Sequence, residues 1–413
     1  MKMKYRNAII PFVIAIVTIL VIVFYVVDTS DRSISEHRDS ETEQLEDQKQ
    51  AAKVTATTED PSIETDKTDS KSTHDPNKSS PISEEFTIQD DLFIHGAAAP
   101  EYIDEDQIVF SLDQDRSYII SIDKRTETWE ILYETSNQEI INSLVGYEKQ
   151  LFWVEYPRQM DVDTPWVMKT MDLNNKKIHP FQNGVAKDYT LPPVLRVFEN
   201  QLTWIDKIMK GDIMISTALV YDIETGLIEE VASEALDERD KEYRDGVFFI
   251  LQRPVVDGML IHQSVFTPDK TSDERTFELV HYPYDPEAKP QKIADNAEQI
   301  IDFTSDYDWI VLCEYGRVRV IDRKTRTLVH EIRSEMEHTT FDSPFILEDQ
   351  LYVRQDMDQI LNLDLKTGEW TEVLKSKETL TKIYNSHDYL GFTHLQTIQN
   401  DGTFQFFIIE KES

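Results

Sequence analysis

The 413-residue sequence predicts an all-β domain that follows an apolar N-terminal helix and a polar linker. Three observations support this order: an uncharged apolar run, a long stretch without aromatic residues, and a β-rich unit that recurs through the rest of the chain. The predicted boundaries are 1–7 for a cytoplasmic N-terminus, 8–27 for a membrane anchor, 28–85 for a linker and 86–413 for the β domain.

The apolar run extends from Ala8 to Val27 and contains no charged residue. As a helix with a rise of about 1.5 Å per residue it spans about 30 Å, the thickness of a bilayer's hydrocarbon core. Lys2, Lys4 and Arg6 precede it, which predicts a single-pass cell-membrane protein with a cytoplasmic N-terminus and an extracellular C-terminal domain. A cleaved signal peptide is the alternative, but the run is long and no small-x-small cleavage site follows it.

The segment 28–85 is rich in Ser, Thr, Asp, Glu and Lys and contains no aromatic residue. Such a chain cannot bury enough apolar area to offset the entropy that it would lose on ordering. The sequence therefore predicts a disordered polar linker between the anchor and the β domain.

From Phe86 onward a unit of short apolar strands recurs, in which one strand ends at an acidic residue before a polar turn and a last strand. The acidic residues before the turns are Asp123, Asp172, Asp222, Asp322 and Asp364. The units recur about every 48 residues, close to the period of propeller blades. One small sheet cannot bury both of its faces, whereas a ring of such sheets can. The prediction is a seven-bladed β-propeller; six or eight blades and a pair of β-sandwiches are the alternatives.

The seventh unit has only three clear strands, and the segment 85–94 could supply its fourth. That pairing would join the two ends of the domain and remove an exposed sheet edge. Cys313, the single cysteine, lies in an apolar strand and is expected to be a buried small hydrophobic residue.

Two turns carry a Thr-Gly pair: D-I-E-T-G at Asp222–Gly226 and D-L-K-T-G-E-W at Asp364–Trp370. These hairpins resemble those of the TolB-like and quinoprotein-like bacterial propellers. The resemblance implies a fold and a scaffold for partners. It carries no cofactor or substrate to this chain, because a fold does not fix a function.

The composition narrows the function. With 42 basic and 78 acidic residues the net charge is −36, which repels nucleic-acid backbones and excludes them as general partners. No P-loop, G-x-S-x-G, G-x-G-x-x-G or His-Glu-x-x-His motif occurs. The sequence therefore favours a non-enzymatic module that binds a protein or a cell-envelope polymer. The alternative is an enzyme that acts on envelope glycans or peptides through carboxylates at the channel mouth.

No catalytic residue, cofactor or metal ligand is predicted, and the oligomeric state stays open. Acidic pairs such as Asp104/Asp106 leave calcium as an alternative, because calcium prefers carboxylate oxygens. None of these pairs continues into a complete calcium-binding loop.

The predicted binding surface is a rim formed by the loops between the second and third strands of units two to four, at 156–165, 206–212 and 267–275. These loops are longer than their counterparts in units one, five and six, and they are neighbours around the ring. Ordinary variable loops are the competing interpretation. The rim residues are Tyr156, Arg158, Trp166, Met209, Lys210 and Lys270.

Overall fold

A computed structural model of the protein describes residues 81–94, 96–187, 190–295, 297–336, 338–395 and 402–411. The predicted anchor, Ala8–Val27, and most of the predicted linker lie outside these residues. Within the described part, no helix combines the length and the apolar character that crossing a bilayer requires.

The described residues form strands and three short 3-10 helices, in chain-ordered groups of four strands that we call units 1 to 7. Unit 1 comprises β2 (Tyr102–Ile103), β3 (Gln107–Asp113), β4 (Ser117–Asp123) and β5 (Trp129–Glu134). Unit 2 comprises β6 (Glu139–Tyr147), β7 (Gln150–Pro157), β8 (Asp163–Asp172) and β9 (Lys177–Lys187). Unit 3 comprises β10 (Arg196–Phe198), β11 (Gln201–Lys210), β12 (Ile213–Asp222) and β13 (Ile228–Asp237).

The later units follow the same antiparallel order. Unit 4 comprises β14 (Asp245–Val255), β15 (Gly258–Phe266), β16 (Thr276–Pro283) and β17 (Gln291–Asp295). Unit 5 comprises β18 (Ile300–Ser305), β19 (Trp309–Glu314), β20 (Arg317–Asp322) and β21 (Leu328–Arg333). Unit 6 comprises β22 (Phe341–Leu347), β23 (Gln350–Gln355), β24 (Gln359–Asp364) and β25 (Trp370–Lys375). The 3-10 helices are Asp91–Phe93, Ser272–Glu274 and Ala297–Gln299.

Unit 7 joins the two ends of the domain. It comprises β26 (Thr379–Leu380), β27 (Tyr384–Ser386), β28 (Tyr389–Leu395) and β29 (Thr403–Glu410), together with β1 (Glu84–Gln89). β1 pairs with β29 in antiparallel register, with Phe86 opposite Phe406. The expected closing strand is therefore present. It begins at Glu84, so the last two residues of the predicted linker lie in the domain.

The core is divided among the junctions between units. Seven hydrophobic clusters occur in the described part of the chain, and each is shared by two successive units, including units 7 and 1. Between units 7 and 1, for example, Phe110 packs against Phe404 and Phe406. Each unit thus buries one face on the preceding unit and the other face on the following one. This closed succession of small antiparallel sheets is the architecture of a β-propeller, not of paired sandwiches.

The repeated acidic turn is built as the sequence predicts. β4, β8, β12, β20 and β24 each end at the aspartate singled out above. In the last of these turns, Oδ1 of Asp364 accepts the backbone N–H groups of Lys366 and Thr367, at 2.9 and 2.8 Å. An aspartate that binds the backbone two and three residues ahead fixes a tight turn, and this is why the residue type recurs there.

Units 3 and 4 depart from the regular pattern, because they belong to one eight-stranded sheet. β13 pairs with β14 only through Leu236 opposite Gly246 and Asp237 opposite Asp245. Cys313 is buried between units 5 and 6, as its apolar surroundings predict.

Candidate functional site: a charged channel

The inner strands of units 2 to 7 surround a common cavity of about 180 Å³; they are the first strands of units 2 to 6 and β27 of unit 7. Its lining includes one residue at or near the carboxyl end of each of these strands: Tyr147, Phe198, Pro254, Ser305, Ile346 and Asn385. Because first and second strands run antiparallel, the predicted rim, which follows the second strands, lies on the opposite face of the ring. The cavity is thus the mouth of a channel on the face that sequence reasoning did not single out.

One buried carboxylate organises the channel. Asp302, in β18, accepts Nη2 of Arg253 on both oxygens, at 3.0 and 2.9 Å. Its oxygens also accept the backbone N–H groups of Phe303 at 2.9 Å and Ser343 at 3.2 Å. Burial alone would raise the pKa of Asp302, but the opposing charges of Arg253 and Lys382 outweigh it and lower the pKa. Asp302 therefore stays ionised at neutral pH.

Arg196 is the neighbouring cation and has no such carboxylate partner. Its guanidinium makes one long hydrogen bond in the described structure, from Nη1 to the carbonyl of Leu195 at 3.4 Å. Its Nε is buried without a partner, and so is Nε of Arg253. Burial, and then the like charge of Arg253, lower the pKa of Arg196 to about 10, so the group remains charged at neutral pH.

A strand irregularity in unit 2 places Arg196. β6 has a bulge between Asn142 and Val145, and Ser143 adopts a positive φ of 59° within it. Oγ of Ser143 accepts the backbone N–H of Leu195 at 2.6 Å and donates to its carbonyl at 3.2 Å. The residue before Arg196 is thereby fixed to the neighbouring unit, and this directs the start of the short β10.

A second buried ion pair lies next to the first. Arg354, whose side chain is 1% exposed, donates Nε and Nη2 to Asp342 at 2.8 and 2.7 Å and Nη1 to the carbonyl of Leu380 at 2.7 Å. The ion pair lies within unit 6 and is neutral overall, and the hydrogen bond to Leu380 joins it to unit 7. It therefore does not offset the positive charge of Arg196.

Two further titratable groups lie nearby. Burial raises the pKa of Glu101 to about 7, even though its carboxylate accepts the Ser111 N–H at 2.6 Å. Burial also raises the pKa of the Tyr384 phenol, which lies close enough to Glu101, Arg196 and Arg354 to feel their charges. Glu101 is thus a carboxylate with a raised pKa, but it is not one of the residues that line the cavity.

The outer part of the cavity is acidic. Glu199 and Asp306 both line it. Glu199 accepts the Tyr307 hydroxyl at 3.2 Å, and Asp306 accepts the N–H groups of Asp308 and Trp309 at 2.9 and 2.7 Å. Burial is the main reason that the pKa of Asp306 is raised. The channel is therefore negative at its mouth and positive around Arg196.

The predicted rim residues do not all lie on the surface. Tyr156 and Trp166 are 5% and 3% exposed and belong to the hydrophobic cluster between units 2 and 3. Trp166 packs so closely on Gly184 that a Cβ there would collide with the indole ring. These two aromatic residues are core residues, which corrects their placement on the binding surface: β7 and β8 extend almost to the turn, and one face of β8 packs in the core up to Thr164.

The other four rim residues remain accessible. Lys210 and Lys270 are exposed, and Met209 is half-buried. Arg158 is partly exposed and forms a two-pronged ion pair with Asp113 of unit 1, at 2.9 and 2.7 Å. The rim as a binding surface stays a prediction.

The acidic pair Asp104/Asp106, considered for calcium, is engaged with protein groups. Asp104 accepts the N–H groups of Asp106 and Gln107, and Lys149 pairs with both aspartates. Among the described residues, no group of three or more His, Cys, Asp and Glu side chains is arranged to hold a metal ion. Calcium stays an untested alternative.

No family model and no curated protein matches this chain. Solved structures that it resembles include the β-propeller domain of the Trilobed protease from Pyrococcus furiosus, at 11% identity and a TM-score of 0.49, covering 72% of this chain and 91% of that one. The β-propeller domain of Cps50 (Swd1) from Myceliophteria thermophila is 12% identical, with a TM-score of 0.48 and coverage of 78% and 98%. An oligogalacturonate lyase in complex with manganese is 11% identical, with a TM-score of 0.44 and coverage of 74% and 86%.

Proposed function

We propose that this chain is a seven-bladed β-propeller held outside the cell by one transmembrane helix, Ala8–Val27, and a polar linker. Counting units 3 and 4 as two blades is supported by their short β13–β14 pairing and by the hydrophobic cluster between their faces. The anchor and the orientation are supported by the uncharged run and by the basic residues before it.

We further propose that the propeller is a binding module for a protein or a cell-envelope polymer, and that the channel holds part of the ligand. The observation that carries this proposal is the cavity at the carboxyl ends of six inner strands, which is lined by the half-buried Arg196, an arginine that lacks a carboxylate partner and whose Nε is buried without one. Concave sites with a few convergent polar groups are the usual places for ligands. Rigid strands surround this one, so little order has to be gained on binding.

The rim is proposed as a second contact region on the opposite face. Met209, Lys210 and Lys270 support it, because they project from neighbouring hairpins of units 3 and 4 and are accessible. Lysines there would favour an acidic partner surface.

The test is capture of partners by the full-length chain in native membranes, by cross-linking and pull-down. Asn385→Trp would obstruct the cavity that Asn385 lines, and we expect it to abolish capture without lowering the melting temperature by more than a few degrees. The rim variant combines Met209→Glu, Lys210→Glu and Lys270→Glu, and Lys366→Trp, on an exposed turn of unit 6, is the matched control.

Loss of capture in the rim variant alone would move the site to the opposite face. Unchanged capture in both variants would overturn the proposal that either face is the binding site.

An enzyme acting on envelope glycans or peptides is the second candidate, favoured by the raised pKa values of the Glu101 and Asp306 carboxylates. Cleavage of peptidoglycan fragments that is lost in Glu101→Gln would support it, whereas cleavage that persists in that variant would remove Glu101 from any catalytic role.

A further inference from the structure

We infer that the channel binds a single carboxylate group, of the kind that ends a polypeptide chain, on the guanidinium of Arg196. The inference rests on the proposal that this cavity is the ligand site, and it names the chemistry of the bound group.

The first step is the balance of charge around Asp302. Arg253, Lys382 and Arg196 all lie close enough to Asp302 to lower its pKa. Asp302 carries a single negative charge. Its two oxygens already accept hydrogen bonds from Nη2 of Arg253 and from two backbone N–H groups. Three cations thus share one anion whose acceptor positions are largely filled. The region around Arg196 therefore carries a local positive charge, inside a chain whose net charge is −36.

The second step concerns Arg196 itself. A buried guanidinium is costly unless its N–H groups are paired, and an ionised carboxylate or phosphate is its strongest partner. Arg196 has a buried Nε without a partner and a 3.4 Å contact to the Leu195 carbonyl. It also lines the cavity. An anion entering the cavity would therefore find donors that no carboxylate of the described chain occupies.

The third step distinguishes a carboxylate from a polyanion. Glu199 and Asp306 line the same cavity and repel any ligand with several negative charges. They also offer acceptors to N–H groups that follow an anionic end. The walls include Val197, Phe345 and Ile346, with the Phe345 ring 5.0 Å from the Arg253 guanidinium. One carboxylate followed by an amide-bearing, partly apolar segment fits this sequence of charges, and a phosphate-rich polymer does not.

The experiment measures the melting temperature of the full-length protein in detergent at constant ionic strength, with chloride as the reference anion. The probes are N-acetylalanine, its neutral amide and dimethyl phosphate. We expect N-acetylalanine to raise the melting temperature by a few degrees at saturating concentration, because a ligand that binds only the folded state stabilises it. We expect no rise from the amide and a smaller one from dimethyl phosphate.

The variants separate ligand binding from a structural role. Arg196→Met should melt at a higher temperature than the wild type in chloride, because it removes a half-buried charge whose Nε has no partner, and it should lose the response to N-acetylalanine. Arg196→Lys keeps the charge without the two-pronged geometry and should retain only part of the response. Arg125→Met, on an exposed turn, is the control and should respond like the wild type.

Three results would overturn the inference: no response of the wild type to N-acetylalanine, an equal response to the amide, or a lower melting temperature of Arg196→Met in chloride. A larger response to dimethyl phosphate would replace the carboxylate with a phosphodiester. Capture of partners that depends on Asn385 would survive any of these results, so failure of this inference and failure of the proposed function are distinguishable.

Discussion

Two junctions in the ring differ in construction: the one between units 5 and 6 and the one between units 3 and 4. The four strands of unit 5 have six residues each, and the junction with unit 6 is an apolar cluster around Cys313. In unit 3, β11, β12 and β13 have ten residues each, and they extend into a sheet shared with unit 4. The added length carries polar side chains into the junction between these two units.

Those polar groups are not fully paired. Ser216 is buried, and its Oγ has no partner in the described structure. Lys207, opposite Ser216 in the register, has its ammonium 4.4 Å from the centre of the Phe248 ring of unit 4. Burial raises the pKa of Glu234 on the adjoining strand. The apolar junction between units 5 and 6 contains what this fold needs for stability. The junction between units 3 and 4 contains, in addition, polar side chains that are incompletely paired.

The largest change in the free energy of unfolding is expected in unit 6, where an ion pair is buried. Asp342→Ala leaves Arg354 charged and buried without its carboxylate, and we expect the free energy of unfolding to fall by about 3–5 kcal/mol. Chemical denaturation of the full-length chain measures this change.

The matched control is Asp349→Ala, which removes an ion pair with Lys366 whose side chains are 45% and 70% exposed. A change below about 1 kcal/mol is expected there. If both variants lost the same free energy, burial would not explain the importance of the pair.

The repeated unit could be predicted from the sequence because the residues that specify it are close together in the chain. Alternation of apolar residues identifies a strand, and an aspartate at its end is sufficient for the turn. All five predicted aspartates end third strands, and the segment that includes β1 closes the ring as expected.

The second prediction concerns the pairing between units 3 and 4. Gly246 has a φ of 120°, and a Cβ there would collide with the carbonyl oxygen of Ala235 across the β13–β14 pairing. Gly246→Ala is expected to lower the free energy of unfolding by about 2–3 kcal/mol, through backbone strain and lost pairing. Hydrogen exchange should show faster exchange in β13 and β14 and unchanged exchange in units 5 and 6.

Gly211→Ala is the control, because Gly211 also has a positive φ, of 65°, but nothing lies within 4 Å of its Cβ position. A cost of about 1 kcal/mol is expected from the backbone alone. Equal costs for the two alanine variants would mean that the contact between units 3 and 4 contributes nothing.

The charged channel could not be predicted from local sequence patterns. Arg196, Arg253 and Asp302 belong to the three successive units 3, 4 and 5, and only the packing of these units around the cavity brings them together. A weak signal existed: each is a charged residue within or next to an apolar first strand, as in Q-R-P-V-V and I-I-D-F-T. On the rim, by contrast, Tyr156 and Trp166 were misplaced, because loop length alone does not show how far paired strands continue.

The smallest of the three effects concerns Lys207 and depends on pH. Burial lowers its pKa to about 8, and it has no ion-pair partner among the described residues. The unfolded chain keeps the lysine proton up to about pH 10, whereas the folded chain releases it near pH 8. Between pH 8 and pH 10 the unfolded state binds more protons than the folded state. The contribution of Lys207 to the free energy of unfolding should therefore increase as the pH is raised from 8 to 10.

Lys207→Met should therefore be more stable than the wild type by about 1–2 kcal/mol at pH 7, because it removes a half-buried charge that has no ion-pair partner among the described residues. The difference should shrink as the pH approaches about 10, where both side chains are neutral. Lys210→Met, exposed on the same strand, should stay within about 0.5 kcal/mol of the wild type at both pH values. A constant difference between Lys207→Met and the wild type would show that the cost lies in the shape of the side chain rather than in its charge. The extended junction would then be an apolar interface like that of units 5 and 6.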